Sequence, residues 1–211
     1  MNIQAWLHLL AAQLKETDWL QWVGLLLGVG EVLLARANKI ALYPTGIAGC
    51  VISIYLLLQA GLYGECLLTF YYIVMSFYGW WYWIKKKHFP PVKISYSTKK
   101  EWITVSAIVI IGYALLYCIL KYFTPSTVPQ WDALVSSTAW AGMWLLARRK
   151  IENWILLNIS NALAIPLLFQ KALPLYGLLT VFLFMVAVQS YFSWRKKIDK
   201  EDVVSTLSPV S

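Results

Sequence analysis

Long apolar blocks broken by short polar punctuation set the pattern of this chain. In order they are 19–35, 40–62, 66–84, 102–120, 128–147, 151–169 and 173–194. Each is close to the roughly 20 residues a helix needs to cross a ~30 Å hydrocarbon layer. The alternating pattern of a membrane barrel is missing, and lipid cannot satisfy free backbone groups, so the blocks predict seven spanning helices. The fifth is the most polar, with Asp132 and Ser136-Ser137-Thr138 in its first half. Ahead of the first block, Trp6, Leu7, Leu10 and Leu14 recur at helical spacing, which predicts a short helix lying in the interface. The basic 85–101 stretch contains Pro90-Pro91 and belongs outside the hydrocarbon. The chain thus divides into an interfacial segment 1–18, a three-helix unit 19–84, a basic loop and linker helix 85–127, a second three-helix unit 128–197 and a cytoplasmic tail 198–211.

Composition narrows the class. Of 211 residues, 60% are hydrophobic, 16% aromatic and 13% charged, about half the roughly 25% charge of a soluble domain. A soluble core of this size could not hide so much apolar surface. Soluble enzymes, disordered chains and nucleic-acid modules are excluded. The net charge of +8 is not gathered on one face. Fifteen of the 18 Lys and Arg residues follow the first, third, fifth and seventh blocks, leaving only Lys15, Lys121 and Lys171 for the other side. The positive-inside rule then places the N-terminus outside and the C-terminus in the cytoplasm, as expected in a bacterial inner membrane. Residues 1–18 hold no Lys or Arg before Lys15 and no long apolar run, so no cleavable signal peptide is expected.

Catalytic and cofactor chemistry finds little to work with. Cys50, Cys66 and Cys118 lie inside apolar blocks, odd in number and widely spaced, which supports neither disulfides nor a thiolate metal site. His8 and His88 are peripheral, and no Gly-rich phosphate loop occurs. The expectation is a non-enzyme without cofactor or metal.

An internal repeat is visible. An offset of 111 pairs Gln59 with Gln170, Leu67-Leu68-Thr69 with Leu178-Leu179-Thr180, Trp83 with Trp194 and Lys85-Lys86 with Lys196-Lys197. One residue of slippage upstream pairs Leu33-Leu34-Ala35-Arg36 with Leu145-Leu146-Ala147-Arg148. Blocks 1–3 therefore match blocks 5–7 with block 4 as connector, so both units run the same way through the membrane. Parallel repeats of this kind occur in transporters, with the substrate between the halves.

Polar groups inside spans are costly and so point to function. In the sixth block Trp154, Asn158 and Asn161 fall on one helical stripe. In the third, Tyr72, Ser76, Trp80 and Trp83 do the same, and in the seventh Gln189, Tyr191 and Trp194 occupy the repeat-related positions of Tyr78, Trp80 and Trp83. Together they would form an aromatic, amide-rich pocket suited to a flat ring with hydroxyl or amide groups. The alternatives are an interfacial aromatic belt for the tryptophans and helix-to-helix bonding for the asparagines. Glu31 is the deepest acid, open to packing, ligand-binding or proton-coupling roles.

Tyr43-Pro44-Thr45-Gly46-Ile47, Gly61-Leu62-Tyr63-Gly64 and Tyr78-Gly79-Trp80-Trp81-Tyr82-Trp83 resemble the first half of the PnuC family of vitamin transporters. Asp132-Ala133, the stretch from Leu145 to Trp154 and Trp194-Arg195-Lys196 resemble its second half. The resemblance implies an all-α, SWEET-like membrane fold of two parallel three-helix repeats plus a linker helix. It also implies a homotrimer and facilitated diffusion of nicotinamide riboside, trapped by a cytoplasmic kinase. By matching motif it makes Trp80, Trp83, Trp154 and Asn161 ligand contacts; the stripes add Asn158, Gln189 and Tyr191. Leu157 and Met143 stand where a nicotinamide riboside carrier would carry Trp and Gln, which keeps thiamine as the alternative and riboflavin third. A scaffold or receptor is the reading from another class, and short loops give it little surface for partners.

Overall fold

The computed structural model describes residues 3–59, 63–85 and 93–207. Among them the chain forms eight helices: α1 (Ile3–Glu16), α2 (Trp19–Arg36), α3 (Leu42–Gln59), α4 (Tyr63–Lys85), α5 (Lys99–Phe123), α6 (Pro129–Ala147), α7 (Asn153–Gln170) and α8 (Pro174–Leu207). Five of them, α2, α3, α5, α7 and α8, are long and apolar enough to cross a membrane. The two other long helices depart from that profile for separate reasons. α4 is dense in Tyr and Trp, which transfer scales rate as weakly polar although they favour the membrane interface. α6 is covered by protein, with Ala133, Ser137, Thr138, Ala141 and Leu145 all buried, so its outline need not match lipid.

Local signals start the helices where the sequence supplies them. Thr98 and Glu101 form a reciprocal capping box ahead of α5, with Glu101 Oε2 accepting from the Thr98 N–H at 2.8 Å. Pro129 opens α6, where a missing N–H costs nothing. α8 is the main surprise. The sequence suggests a boundary near Trp194 and a separate tail, yet the helix continues to Leu207. Hydropathy marks where an apolar block ends, whereas Lys, Arg and Glu are good helix formers that simply carry the helix into water. Ile198, one turn past Trp194, is buried against the bundle.

The helices pack as two consecutive trios, α2–α3–α4 and α6–α7–α8, with α5 lying along α6. The trios meet where α4 touches α6 and where α2 touches α8. The corners closing α2 and α6 are built alike. Asn38 and Arg149 adopt left-handed backbone, φ 60° and 56°, and Lys39 and Lys150 N–H groups reach back to the Leu34 and Leu145 carbonyls, both at 2.9 Å. Both are Schellman-type stops. Their equivalent residues stand 111 apart, so the slippage read from the leucines is not needed here.

The short helix expected at the N-terminus forms as α1. It is tied to the corner between α7 and α8: Gln13 donates to the Ala172 carbonyl at 3.0 Å and accepts from the Leu175 N–H at 3.1 Å, while Trp6 meets Phe169 edge-on. At the other end the segment before α5 straps the α6–α7 corner. Ser95 exchanges backbone hydrogen bonds with Arg149 and Ile151, and the Glu152 carboxylate accepts from the Ser97 N–H and hydroxyl at 2.7–3.0 Å. Lys86, Lys87 and Pro90-Pro91, which the sequence places outside the hydrocarbon, lie outside the described residues. Removing a buried acceptor strands its donors at about 1–3 kcal/mol. Glu152→Ala is therefore expected to lower the melting temperature in detergent by roughly 2–12 °C, read by fluorescence against unchanged affinity in the protein that remains folded.

Candidate functional site

Between the trios lies a cavity of about 300 Å³, at the lower end of the range for ligand pockets. α2 contributes Glu31, Val32 and Ala35, α3 Cys50, α4 Tyr72, α6 Met143 and Leu146, α7 Trp154, Leu157 and Asn161, and α8 Leu183 and Ala187. Four pairs of these stand 111 positions apart: Val32 with Met143, Ala35 with Leu146, Cys50 with Asn161, and Tyr72 with Leu183. Leu183 also borders a second space of about 560 Å³, which leads between α2, α3 and α8 towards Gln21 and Tyr176.

The floor, at the end rich in Lys and Arg, is a buried aromatic cluster. Trp83 Nε1 on α4 donates to the Ala147 carbonyl at the end of α6, 2.9 Å away. Trp194 Nε1 on α8 donates to the Arg36 carbonyl at the end of α2, 3.1 Å away. Each indole thus reaches from one trio to the helix end of the other. Tyr43 sits edge-on to Trp83 at 5.2 Å and Trp154 edge-on to Trp194 at 5.5 Å. Gly79 is what admits Tyr43, because a β-carbon there would overlap the tyrosine ring. Below the cluster the Arg149 guanidinium lies over the Trp83 ring, 3.5 Å from its centre.

The sequence-derived site residues separate into three groups. Trp154 and Asn161 line the cavity. Trp154 is only 1% exposed, a floor element more than a platform, whereas Asn161 makes no hydrogen bond among the described residues. Trp80 and Trp83 belong to the floor cluster, and the Trp83 N–H is already taken. Asn158 and Tyr191 line a separate, mostly apolar groove between α7 and α8, and Gln189 accepts from Arg36 Nη1 at 2.8 Å. Hence the stripe of Trp154, Asn158 and Asn161 splits along its edge: one turn of drift carries Asn158 around to the neighbouring groove. Cys50 was not singled out as a contact. The offset of 111 applied to Asn161 would have found it.

Among the described residues Glu31 is the one charged group on the cavity wall, with no basic residue beside it. Its carboxylate presses on the backbone of α3 at Gly46, where an added β-carbon would stand 2.5 Å from Oε1. The positions 111 further on reverse the sizes: Gly142 replaces the acid, and Leu157 fills the space over it. One wall is therefore acidic and its counterpart apolar.

These features define a multi-pass helical membrane protein whose two helix trios enclose a solute-sized cavity. A family model described as "Nicotinamide mononucleotide transporter" matches residues 18–196, and the chain belongs to this family of membrane transporters, not to a family of enzymes. Among curated relatives, the nicotinamide riboside transporter PnuC of Escherichia coli (strain K12) is 22% identical over 205 residues, covering 85% of this chain and 86% of the relative. The protein of the same name from Shigella flexneri matches to the same extent. A solved structure described as that of the vitamin B3 transporter PnuC shares the fold, with a TM-score of 0.69 and 24% identity over 92% of this chain and 88% of that one. The PnuC resemblance read from the sequence is borne out.

Proposed function

We propose that this chain carries nicotinamide riboside across the bacterial inner membrane by facilitated diffusion, a cytoplasmic kinase trapping the product. The observation that carries this reading is the wall chemistry of the cavity among the described residues: aromatic Tyr72, the free amide of Asn161, one carboxylate and no Lys or Arg. A pyridinium ring with ribose hydroxyls meets complementary groups there. A nucleoside monophosphate does not, because its phosphate calls for cationic donors and would face Glu31 instead. Trapping follows from the same asymmetry, since phosphorylation makes a product that the cavity repels.

Seven spans, α2 to α8, related as two parallel three-helix repeats around the linker α5, agree with the pairing of helices and with the matched floor contacts. The Lys and Arg distribution supports a cytoplasmic floor and an external N-terminus, and a homotrimer is the assembly that the family resemblance implies. Met143 and Leu157, both on the cavity wall, favour thiamine as the second reading, as an aromatic cation with fewer hydroxyl groups to satisfy. Purified protein titrated with nicotinamide riboside, thiamine, riboflavin and nicotinamide mononucleotide separates the readings: the riboside is expected to bind tightest and the mononucleotide at least tenfold more weakly. In vesicles, uptake should stop at equal concentrations on the two sides. Accumulation that a protonophore collapses would overturn facilitated diffusion.

A further inference from the structure

We propose that Glu31 is the charge-selecting residue of the cavity, the group that admits a cationic aromatic ring and discriminates against the same ring when neutral. The inference rests on the reading of the cavity as the vitamin site. Acidic side chains inside a membrane protein are normally paired. Glu31 makes no hydrogen bond or ion pair among the described residues, and it lines the space enclosed by the trios. The chain makes room for it by placing Gly46 against the carboxylate. At the matching point of the other trio the room is taken by Leu157 over Gly142, so the acid is not a by-product of symmetry. Across the cavity stands Asn161, and Tyr72 supplies an aromatic face on the same side as the acid.

A ring lying between Tyr72 and Asn161 with a delocalised positive charge is the partner this wall lacks. In a low-dielectric cavity a carboxylate beside such a cation is worth far more than in water, and a neutral ring would leave the carboxylate desolvated without compensation. Selection therefore acts through the Glu31 carboxylate on the cavity wall.

Nicotinamide riboside and its reduced dihydro form share every hydroxyl, the sugar and the amide, and differ chiefly in ring charge. They make a matched pair of probes. Titrated calorimetrically on the intact protein, the cationic riboside is expected to bind at least tenfold tighter than the dihydro form. Glu31→Gln keeps the side chain's shape over Gly46. It should lower affinity for the cation at least tenfold, leave the dihydro form as tight or tighter, and so remove the preference. Equal affinities for the two forms in the unaltered protein would overturn the proposal without any variant needing to fold. So would a preference that survives in Glu31→Gln eluting normally from gel filtration, which would make the acid a packing element. Binding of neither form, nor of thiamine, would instead bring down the vitamin reading of the cavity itself, and this inference with it.

Discussion

Replacing both indole donors of the floor, Trp83→Phe with Trp194→Phe, is expected to open the cavity from the Lys- and Arg-rich end. Phenylalanine keeps most of the aromatic packing and removes the two N–H groups that hold the Ala147 and Arg36 carbonyls. A hydrogen bond of this kind contributes about 0.5–1.5 kcal/mol. Two lost together, at about 2 kcal/mol, would raise the population of an open floor roughly thirtyfold. Because each bond ties one trio to the other, either variant alone should give only part of the effect. Cys50 on the cavity wall is a native reporter. With Cys66 and Cys118 replaced by alanine, a charged thiol reagent applied to the floor side of oriented vesicles should modify Cys50 at least tenfold faster in the double variant. Equal rates would mean that the indoles brace the bundle without gating it.

The sequence made the helices legible because a bilayer leaves so few options: the length of the apolar blocks placed their ends to within about three residues. It failed at the end of α8, where hydropathy has nothing to say about a helix leaving the membrane. The offset of 111 was legible as well, and it foreshadowed contacts that no single block suggests, such as Trp83 on Ala147 against Trp194 on Arg36. The site was harder to read. Tryptophans draw attention on composition alone, yet Trp80 and Trp83 serve the floor, because a large ring beside an unpaired carbonyl at a helix end has a structural use that spacing cannot separate from ligand stacking. Asn161 and Asn158 differ by less than one turn, and only the neighbours of α7 decide which of them faces the cavity. Glu31 could be recognised as exceptional, but its meaning depends on Gly46, far away in the helical sense and adjacent only after folding.

That division of α7 gives the sharpest test of the site. Asn161→Leu should weaken vitamin binding at least tenfold, whereas Asn158→Leu should change it less than twofold. The Asn161 amide is free and faces the cavity, where it can both donate to and accept from a ribose hydroxyl or carboxamide. A site built around a polar group loses heavily when its partner is deleted, because the ligand's own donor is then desolvated unpaired. Leucine has the same number and branching of side-chain heavy atoms as asparagine and adds no charge, so the loss would reflect chemistry before shape. The control for α7 is Ile159→Ala: Ile159 is 46% exposed and borders the groove beside Asn158, not the cavity between the trios, so its truncation should leave affinity unchanged. Leu156 would serve poorly, being packed with Ala141 and Leu145, where a cavity would destabilise the whole bundle. Titration of each variant, after checking its elution, decides the matter: if Asn158→Leu loses binding and Asn161→Leu keeps it, the vitamin occupies the groove between α7 and α8, and the space between the trios has another use.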